Sequence, residues 1–85
     1  MRTFDYTITD TIGMHARPAG EFVKLAKSLT CDVSISCGTN TADAKKLFAV
    51  MGLGISYQSN VTLAVTGANA DEEVKILEDF FKSTL

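Results

Sequence analysis

Apolar and polar residues alternate along three stretches of the chain, which is the pattern of strands that have one face in water. The first stretch runs from Thr3 to Thr9, the second from Cys31 to Cys37 and the third from Asn60 to Thr66. Each stretch is predicted to form a strand. A fourth, shorter strand is predicted at Thr41–Asp43, because Gly38-Thr39-Asn40 makes a turn that would pair it with the second stretch as a hairpin.

Between these stretches the apolar residues recur with helical spacing. A helix is predicted from Ala16, with a buried stripe formed by Ala19, Phe22, Val23 and Ala26. A shorter helix is predicted from about Lys46 to Leu53, and Gly52 and Gly54 suit a left-handed cap at its end.

A last helix is predicted after Asn69, which together with Glu72 has the spacing of a capping box. Acidic residues follow in its first turn, where the helix dipole favours negative charge. Its buried stripe would consist of Val74, Leu77 and Phe81, extended by Ala70 and Leu85.

The predicted order is therefore β-α-β-β-α-β-α, and each strand has only one apolar face. A single layer of antiparallel sheet with helices on one side satisfies this pattern. We predict an α+β fold, an open-faced β-sandwich whose four-stranded sheet is covered on one face by three helices. Residues 1–85 are expected to form a single domain.

Composition and charge exclude several classes of protein. The chain has 85 residues, of which 46% are hydrophobic, and no apolar run approaches the roughly 18 residues of a membrane span. The N-terminus lacks the apolar segment of a signal peptide, so we expect a cytoplasmic protein without membrane insertion. A net charge of −2 argues against nucleic-acid binding. A monomer is the default expectation.

The two cysteines, Cys31 and Cys37, lie at the ends of one predicted strand. Six residues at about 3.3 Å each separate them by roughly 20 Å, whereas a disulfide needs Cα atoms within about 7 Å. We therefore expect reduced thiols that face the core, and no metal site or cofactor.

The candidate chemistry lies in Gly13-Met14-His15-Ala16-Arg17-Pro18, which contains the only histidine and the only proline of the chain. Pro18 is tolerated only in the first turn of a helix, so His15 would lie at a helix N-terminus. There the unpaired backbone N–H groups of Ala16 and Arg17 and the Arg17 guanidinium would favour a phosphate-sized anion. On these residues alone, His15 could equally be an ordinary loop histidine.

The sequence resembles the histidine-containing phosphocarrier family, HPr, of the sugar phosphotransferase system. The resemblance covers essentially the whole chain. It rests on the segment Gly13–Ala19, on Phe22-Val23 with Lys24 and Lys27, and on Leu47-Phe48 followed by Leu53-Gly54.

The resemblance implies a sheet order of 1-4-2-3 and a relay role in place of an enzyme with a free product. His15 would accept a phosphoryl group on Nδ1 from phosphorylated enzyme I, which is charged by phosphoenolpyruvate. It would then pass the group to enzyme IIA domains of sugar permeases, with Arg17 stabilising the charge. A nitrogen-branch carrier or a regulatory HPr paralogue is the main alternative. A small acylphosphatase-like hydrolase is a weaker one, since no acid or amide near His15 is suited to place a water molecule.

A partner-docking surface is predicted beside this site. Val50 and Leu53 suffice as the buried side of the second helix, which would leave an exposed apolar patch on the same helix. Gly20 would let a partner approach closely, and positive charge at the margin would suit acidic partners. The predicted docking residues are Gly20, Lys24, Lys27, Leu47, Phe48 and Met51. The alternatives are that the apolar side chains belong to the core and that the lysines are merely solvated.

One position departs from the family pattern. Many HPr proteins carry a serine at the start of the second helix, where a dedicated kinase phosphorylates it in Gram-positive bacteria. This chain has Lys46 there. Lysine cannot accept that phosphate, so we predict that regulation through this serine is absent.

Overall fold

The computed structural model describes residues 1–85 and contains four strands and three helices in the predicted order. The elements are β1 (Arg2–Thr7), α1 (Ala16–Ser28), β2 (Asp32–Cys37), β3 (Asn40–Asp43), α2 (Leu47–Met51), β4 (Asn60–Thr66) and α3 (Ala70–Thr84).

The four strands form one antiparallel sheet in the order β1-β4-β2-β3, which confirms the expected order. The apolar faces are in register: Leu63 of β4 lies opposite Phe4 on one side and Ile35 on the other. Alternate residues of the strands point away from the helices and are mostly hydroxyl or carboxyl side chains, such as Thr62, which donates to Asp5 Oδ1 at 2.7 Å. The sheet therefore has one covered face and one open face, as the alternation predicts.

The helices pack on the apolar face around an aromatic cluster. Phe81 of α3 is fully buried, and its ring centroid lies 5.2 Å from that of Phe22 on α1 in an edge-to-face arrangement. Phe4 and Tyr6 of β1 meet the same ring edge-on at 5.9 and 5.6 Å. Such pairs contribute about 0.5–1.5 kcal/mol beyond their buried area. The predicted stripe of α1 is buried at all four positions, Ala19, Phe22, Val23 and Ala26.

The second helix is shorter than predicted. It ends at Met51, because the N–H groups of Leu53 and Gly54 bond to carbonyls only three residues back and close turns instead of α-helix. Gly52 has a right-handed conformation with φ −65°, so its predicted left-handed conformation is wrong. Gly54, with φ 64°, has the left-handed conformation that glycine tolerates.

The start of α3 also differs from the predicted capping box. Asn69 makes no side-chain cap, and its amide donates instead to Thr30 Oγ1 at 3.1 Å. The Glu72 and Glu73 N–H groups bond to the Asn69 backbone carbonyl. Asn69 is therefore used in a contact with the α1–β2 connection, which a local sequence pattern cannot reveal.

That connection is held by a buried carboxylate. Glu73 is 7% exposed and accepts from Thr30 N–H at 3.1 Å, from Thr30 Oγ1 at 2.7 Å and from Cys31 N–H at 2.9 Å. The Thr30 hydroxyl above all, helped by the two backbone donors and opposed by burial, lowers the pKa of Glu73 to about 2. Glu73 thus joins α3 to the chain that enters β2.

Both cysteines are free, as predicted. Cys31 is buried and Cys37 is half-buried against the core. Burial, followed by the neighbouring Glu73 carboxylate, raises the pKa of the Cys31 thiol. None of the three helices combines the length and the apolar character that crossing a bilayer requires.

Candidate functional site

His15 lies at the entrance of α1. Its backbone is extended, with φ −87° and ψ −175°, and its carbonyl accepts the first helical bond, from Ala19 N–H at 3.0 Å. The imidazole side chain makes no cap bond and is half-buried. Pro18 is in the first turn, where the missing N–H costs no hydrogen bond.

The first turn of α1 leaves backbone donors unpaired. Neither Ala16 nor Arg17 uses its N–H group in a hydrogen bond within the chain, and the first turn contains no acidic residue. Free amides at the positive end of a helix dipole attract anions. Since Ala16 is small and exposed, the space beside His15 is open to solvent.

The loop before His15 has a conformation that only glycine fits. Gly13 has φ 79°, and a Cβ on it would lie 2.7 Å from Ser56 Cα and 2.9 Å from the Ile55 carbonyl oxygen. The Met14 N–H donates to the same Ile55 carbonyl at 3.1 Å. The His15 loop therefore packs directly on the α2–β4 connection, which fixes where the helix begins.

The α2–β4 connection is itself bonded to the end of β1. Gln58, with φ 68°, is the one non-glycine residue of the chain with positive φ, and its N–H donates to the Ile8 carbonyl at 2.9 Å. The Ile8 N–H in turn donates to the Ser59 carbonyl at 3.0 Å. Sequence reasoning gave no role to this segment, and nothing in its local pattern indicates one.

Arg17 forms a long ion pair on the surface of α1. Its side chain is 87% exposed, and Nε lies 3.8 Å from Oε1 of Glu21, one turn further on. A shallow, open depression joins Arg17 and His15 with hydroxyl and carboxyl side chains from three segments. Its remaining lining residues are Asp10, Ile12, Pro18, Glu21, Ser83 and Thr84.

Two carboxylates in this depression were not among the predicted site residues. Asp10 holds the loop: Oδ1 accepts from Ile12 N–H at 2.8 Å, and its carbonyl accepts from Gly13 N–H at 3.0 Å. Glu21 has only Arg17 as an ionic partner. The four-residue spacing of Arg17 and Glu21 on a predicted helix was a usable signal for this pair.

The predicted docking residues lie on exposed parts of α1 and α2, with one correction. Phe48 is 86% and Met51 39% exposed, which is high for large apolar side chains. Leu47, predicted to be exposed with them, is half-buried and packs against the core. Val50 is the only fully buried residue of the short α2, and Leu47 covers the core beside it. Leu53, predicted to be buried, is likewise half-buried.

Basic residues are exposed on α1, which packs against α2, and at the start of α2. Lys24 and Lys27 are exposed on α1, and a Cβ on Gly20 would meet nothing within 4 Å. Lys46 is the N-cap residue of α2 and makes no side-chain cap bond, while Lys45 Nζ lies 3.5 Å from the Leu29 carbonyl. No group of three or more histidine, cysteine, aspartate or glutamate side chains is placed to hold a metal ion.

Comparison with known proteins agrees on one family. The model of the PTS-HPr family, "PTS HPr component phosphorylation site", matches residues 2–83. The phosphocarrier protein HPr of Vibrio cholerae is 39% identical over 70 residues, which are 82% of each chain.

Solved structures agree with the sequence match. The histidine-containing phosphocarrier protein of a Mycoplasma superposes with a TM-score of 0.93 at 26% identity, over 98% of this chain and 94% of its own. An HPr from Thermoanaerobacter tengcongensis superposes with a TM-score of 0.92 at 30% identity, over 98% and 93% of the two chains. An HPr dimer from the same organism superposes with a TM-score of 0.76 at 30% identity, over 98% of this chain and 95% of its own. Since family model, relatives and fold coincide over nearly the whole chain, this chain belongs to the HPr family of phosphocarrier proteins of the phosphotransferase system.

Proposed function

We propose that His15 accepts a phosphoryl group from phosphorylated enzyme I and passes it to enzyme IIA domains of sugar permeases. The observation that carries the proposal is the position of His15 at a helix N-cap, followed by the two free N–H groups of Ala16 and Arg17. A phosphoryl group on the imidazole would lie where the helix dipole and these donors favour negative charge.

The transfer is written as an in-line exchange between two imidazoles. Neutral His15 attacks with the lone pair of Nδ1, a new N–P bond forms there, and the N–P bond of the donor phosphohistidine breaks with its electron pair returning to the donor ring. In a second exchange of the same kind, the imidazole of an acceptor histidine attacks the phosphorus, and the Nδ1–P bond breaks with its electron pair returning to His15. Since no water takes part, catalysis rests on positioning and on charge neutralisation by Arg17.

The strength of the anion site supports a carrier. Stabilisation of an anion at a helix N-terminus amounts to about 0.3–2 kcal/mol, which is at most a few tens in an equilibrium constant. The Arg17 guanidinium is exposed, and its one ionic partner within the chain, Glu21, is 3.8 Å away, longer than a hydrogen bond. A site that bound the phosphorylated form much more tightly would slow the onward step, because tight ground-state binding raises the next barrier.

The test is phosphorylation with phosphoenolpyruvate and enzyme I, followed by intact-mass measurement. We expect the mass of one phosphate, labile in acid, in the parent and none in His15→Ala. Arg17→Ala serves as a second variant and should be phosphorylated more slowly. A mass increase that persists in His15→Ala, or none in the parent, contradicts the proposal.

We further propose that partners dock over Phe48, Met51 and Gly20, with Lys24 and Lys27 attracting acidic partner surfaces. Exposed apolar side chains on α2, together with exposed lysines on the adjoining α1, suit a transient, electrostatically steered interface. Half-buried Leu47 would contribute only an edge of this surface.

The steering role is tested by reversing the two charges together, Lys24→Glu with Lys27→Glu. We expect kcat/KM for transfer from enzyme I to fall about tenfold at low salt and the difference to shrink at high salt. The matched control reverses Lys75 and Lys82 on α3, also both exposed. If kcat/KM falls as much in the control variant as in the test variant, the change in net charge and not the loss of docking is responsible.

Regulation by a serine kinase is proposed to be absent, because the residue that begins α2 is Lys46. Incubation with the kinase and ATP should add no phosphate near this residue.

A nitrogen-branch or regulatory paralogue is the second candidate, and transfer to purified enzyme IIA domains of each branch distinguishes them. Light scattering decides between the proposed monomer and a dimer like that solved for the Thermoanaerobacter protein.

A further inference from the structure

Glu21 and Arg17 form the only ion pair on α1, and the pair lies at the edge of the His15 depression. Arg17 Nε and Glu21 Oε1 are 3.8 Å apart, longer than a hydrogen bond, and both side chains are largely exposed. Glu21 also lines the depression that contains His15. The carboxylate thus faces the same solvent-filled space that a phosphoryl group would enter.

The other carboxylate of the depression has a different task. Asp10 accepts the Ile12 N–H at 2.8 Å and closes the loop, so it is not free to move towards a guanidinium. Glu21 accepts no hydrogen bond within 3.5 Å, and its partner is Arg17 alone. Glu21 is therefore the one acidic group in the depression whose interaction changes if Arg17 changes its position.

We propose that Glu21 is a positioning residue that holds Arg17 along α1 in the unphosphorylated chain and competes with the phosphoryl group for its guanidinium. This inference rests on the proposed phosphorylation of His15. A dianionic phosphoryl group attracts the guanidinium more strongly than one carboxylate at 3.8 Å, so Arg17 moves to the phosphate when His15 is phosphorylated. On transfer, Glu21 takes the guanidinium back and thereby favours release of the group.

The size of the effect follows from the geometry. Exposed ion pairs at this spacing contribute at most about 1 kcal/mol, equivalent to about fivefold in an equilibrium constant. Glu21→Gln removes the competing charge while keeping the length of the side chain. We expect it to shift the phosphorylation equilibrium with enzyme I two- to fivefold towards the phosphorylated carrier, and to slow transfer to an enzyme IIA domain by a similar factor.

A spectroscopic readout separates positioning from a general effect on the fold. In ¹H–¹⁵N spectra of the parent, the Arg17 Nε–H signal should move on phosphorylation as its partner changes. In Glu21→Gln the signal of the unphosphorylated form should already differ from that of the parent. The melting temperature should stay within about 2 °C of the parent, since the pair is exposed.

Two comparison variants complete the experiment. Glu72→Gln removes an exposed carboxylate from α3 and should leave the phosphorylation equilibrium unchanged. In an Arg17→Ala background, Glu21→Gln should have no further effect, because Glu21 is argued to act through Arg17. If it shifts the equilibrium equally there, Glu21 repels the phosphate directly and the positioning role is wrong.

The outcomes also separate this inference from the proposed function. A parent that takes up phosphate on His15 while Glu21→Gln behaves identically overturns the inference and leaves the carrier function standing. A parent that takes up no phosphate overturns both. An Arg17 Nε–H signal that is the same in the parent and in Glu21→Gln also overturns the inference, whatever the kinetics show.

Discussion

The hydrogen bonds of the buried Glu73 carboxylate allow a quantitative prediction of how much this residue stabilises the folded chain. Its two oxygens receive both donors of Thr30 and the backbone N–H of Cys31, at distances between 2.7 and 3.1 Å. The change Glu73→Gln keeps the shape of the side chain but replaces one acceptor oxygen with an NH₂ group. That group cannot accept from the Thr30 hydroxyl, and the neutral amide oxygen that is left accepts from the backbone N–H groups more weakly than a carboxylate does.

The magnitude follows from the pKa. Hydrogen bonds, chiefly from the Thr30 hydroxyl, lower the pKa of Glu73 from 4.5 to about 2. At about 1.4 kcal/mol for each unit of difference, the ionised form contributes at most about 3.5 kcal/mol to folding. Since Thr30 and Asn69 beside it are exposed and water screens the site from that side, we expect about 2 kcal/mol. For a chain of this size, that lowers the melting temperature by about 10 °C.

The pH dependence has a defined sign. Because the pKa of Glu73 is lower in the folded than in the unfolded chain, its contribution is complete above about pH 4.5 and is lost as the pH falls towards about 2. The stability difference between the parent and Glu73→Gln should therefore be constant between pH 6 and 8 and shrink steadily below pH 4.5.

The assay is urea unfolding followed by circular dichroism at a series of pH values. The control is Glu72→Gln, which removes a neighbouring carboxylate that is exposed in the same turn of α3 and should cost less than about 0.5 kcal/mol. The reasoning is refuted if the two variants lose the same stability, or if the loss in Glu73→Gln is the same at pH 3 as at pH 7.

Three further predictions concern the site and the thiols. Gly13→Ala should lower stability by at least about 2 kcal/mol in thermal unfolding, because of its positive φ and a Cβ only 2.7 Å from Ser56 Cα; an unchanged melting temperature would contradict this. Phe48→Ala should change stability by less than about 0.5 kcal/mol but raise KM for phosphotransfer, since the ring is 86% exposed; unchanged kinetics would exclude it from docking. With a disulfide reagent in the native state, Cys37 should react and Cys31 should not, as mass mapping would show; equal rates would mean that Cys31 is accessible.

The sequence predicted those parts of the molecule that are determined by residues close to one another in the chain. Alternation located three of the strands, the turn at Gly38-Thr39-Asn40 located the fourth, and the stripe of α1 was correct at every position. The helix entrance at His15 was predictable because Pro18 restricts the local backbone without help from other segments. The family resemblance supplied the order of the strands, which alternation alone does not determine.

The errors arose where segments far apart in the chain meet. Leu47 was predicted to be exposed because Val50 and Leu53 sufficed on one helix in isolation, yet α2 is too short to bury its apolar side with them alone. The left-handed conformation of Gln58 follows from its bond to the end of β1, which no turn pattern at that position indicates. The exclusion of a side chain at Gly13 likewise depends on a distant segment, because a Cβ there would lie against Ser56.

Glu73 shows that a charged residue can be part of a buried stripe. The first turn of α3 contains three acidic residues, and the sequence pattern alone explains all of them by the helix dipole. Yet Glu73 lies three residues after Ala70 and four before Leu77, so it falls on the same face as those buried side chains. Its burial requires donors opposite it, and the N–H groups of Thr30 and Cys31, between the end of α1 and the start of β2, need acceptors. The helical spacing identified the face, but only the packing of α3 against the α1–β2 connection makes a carboxylate the right residue there.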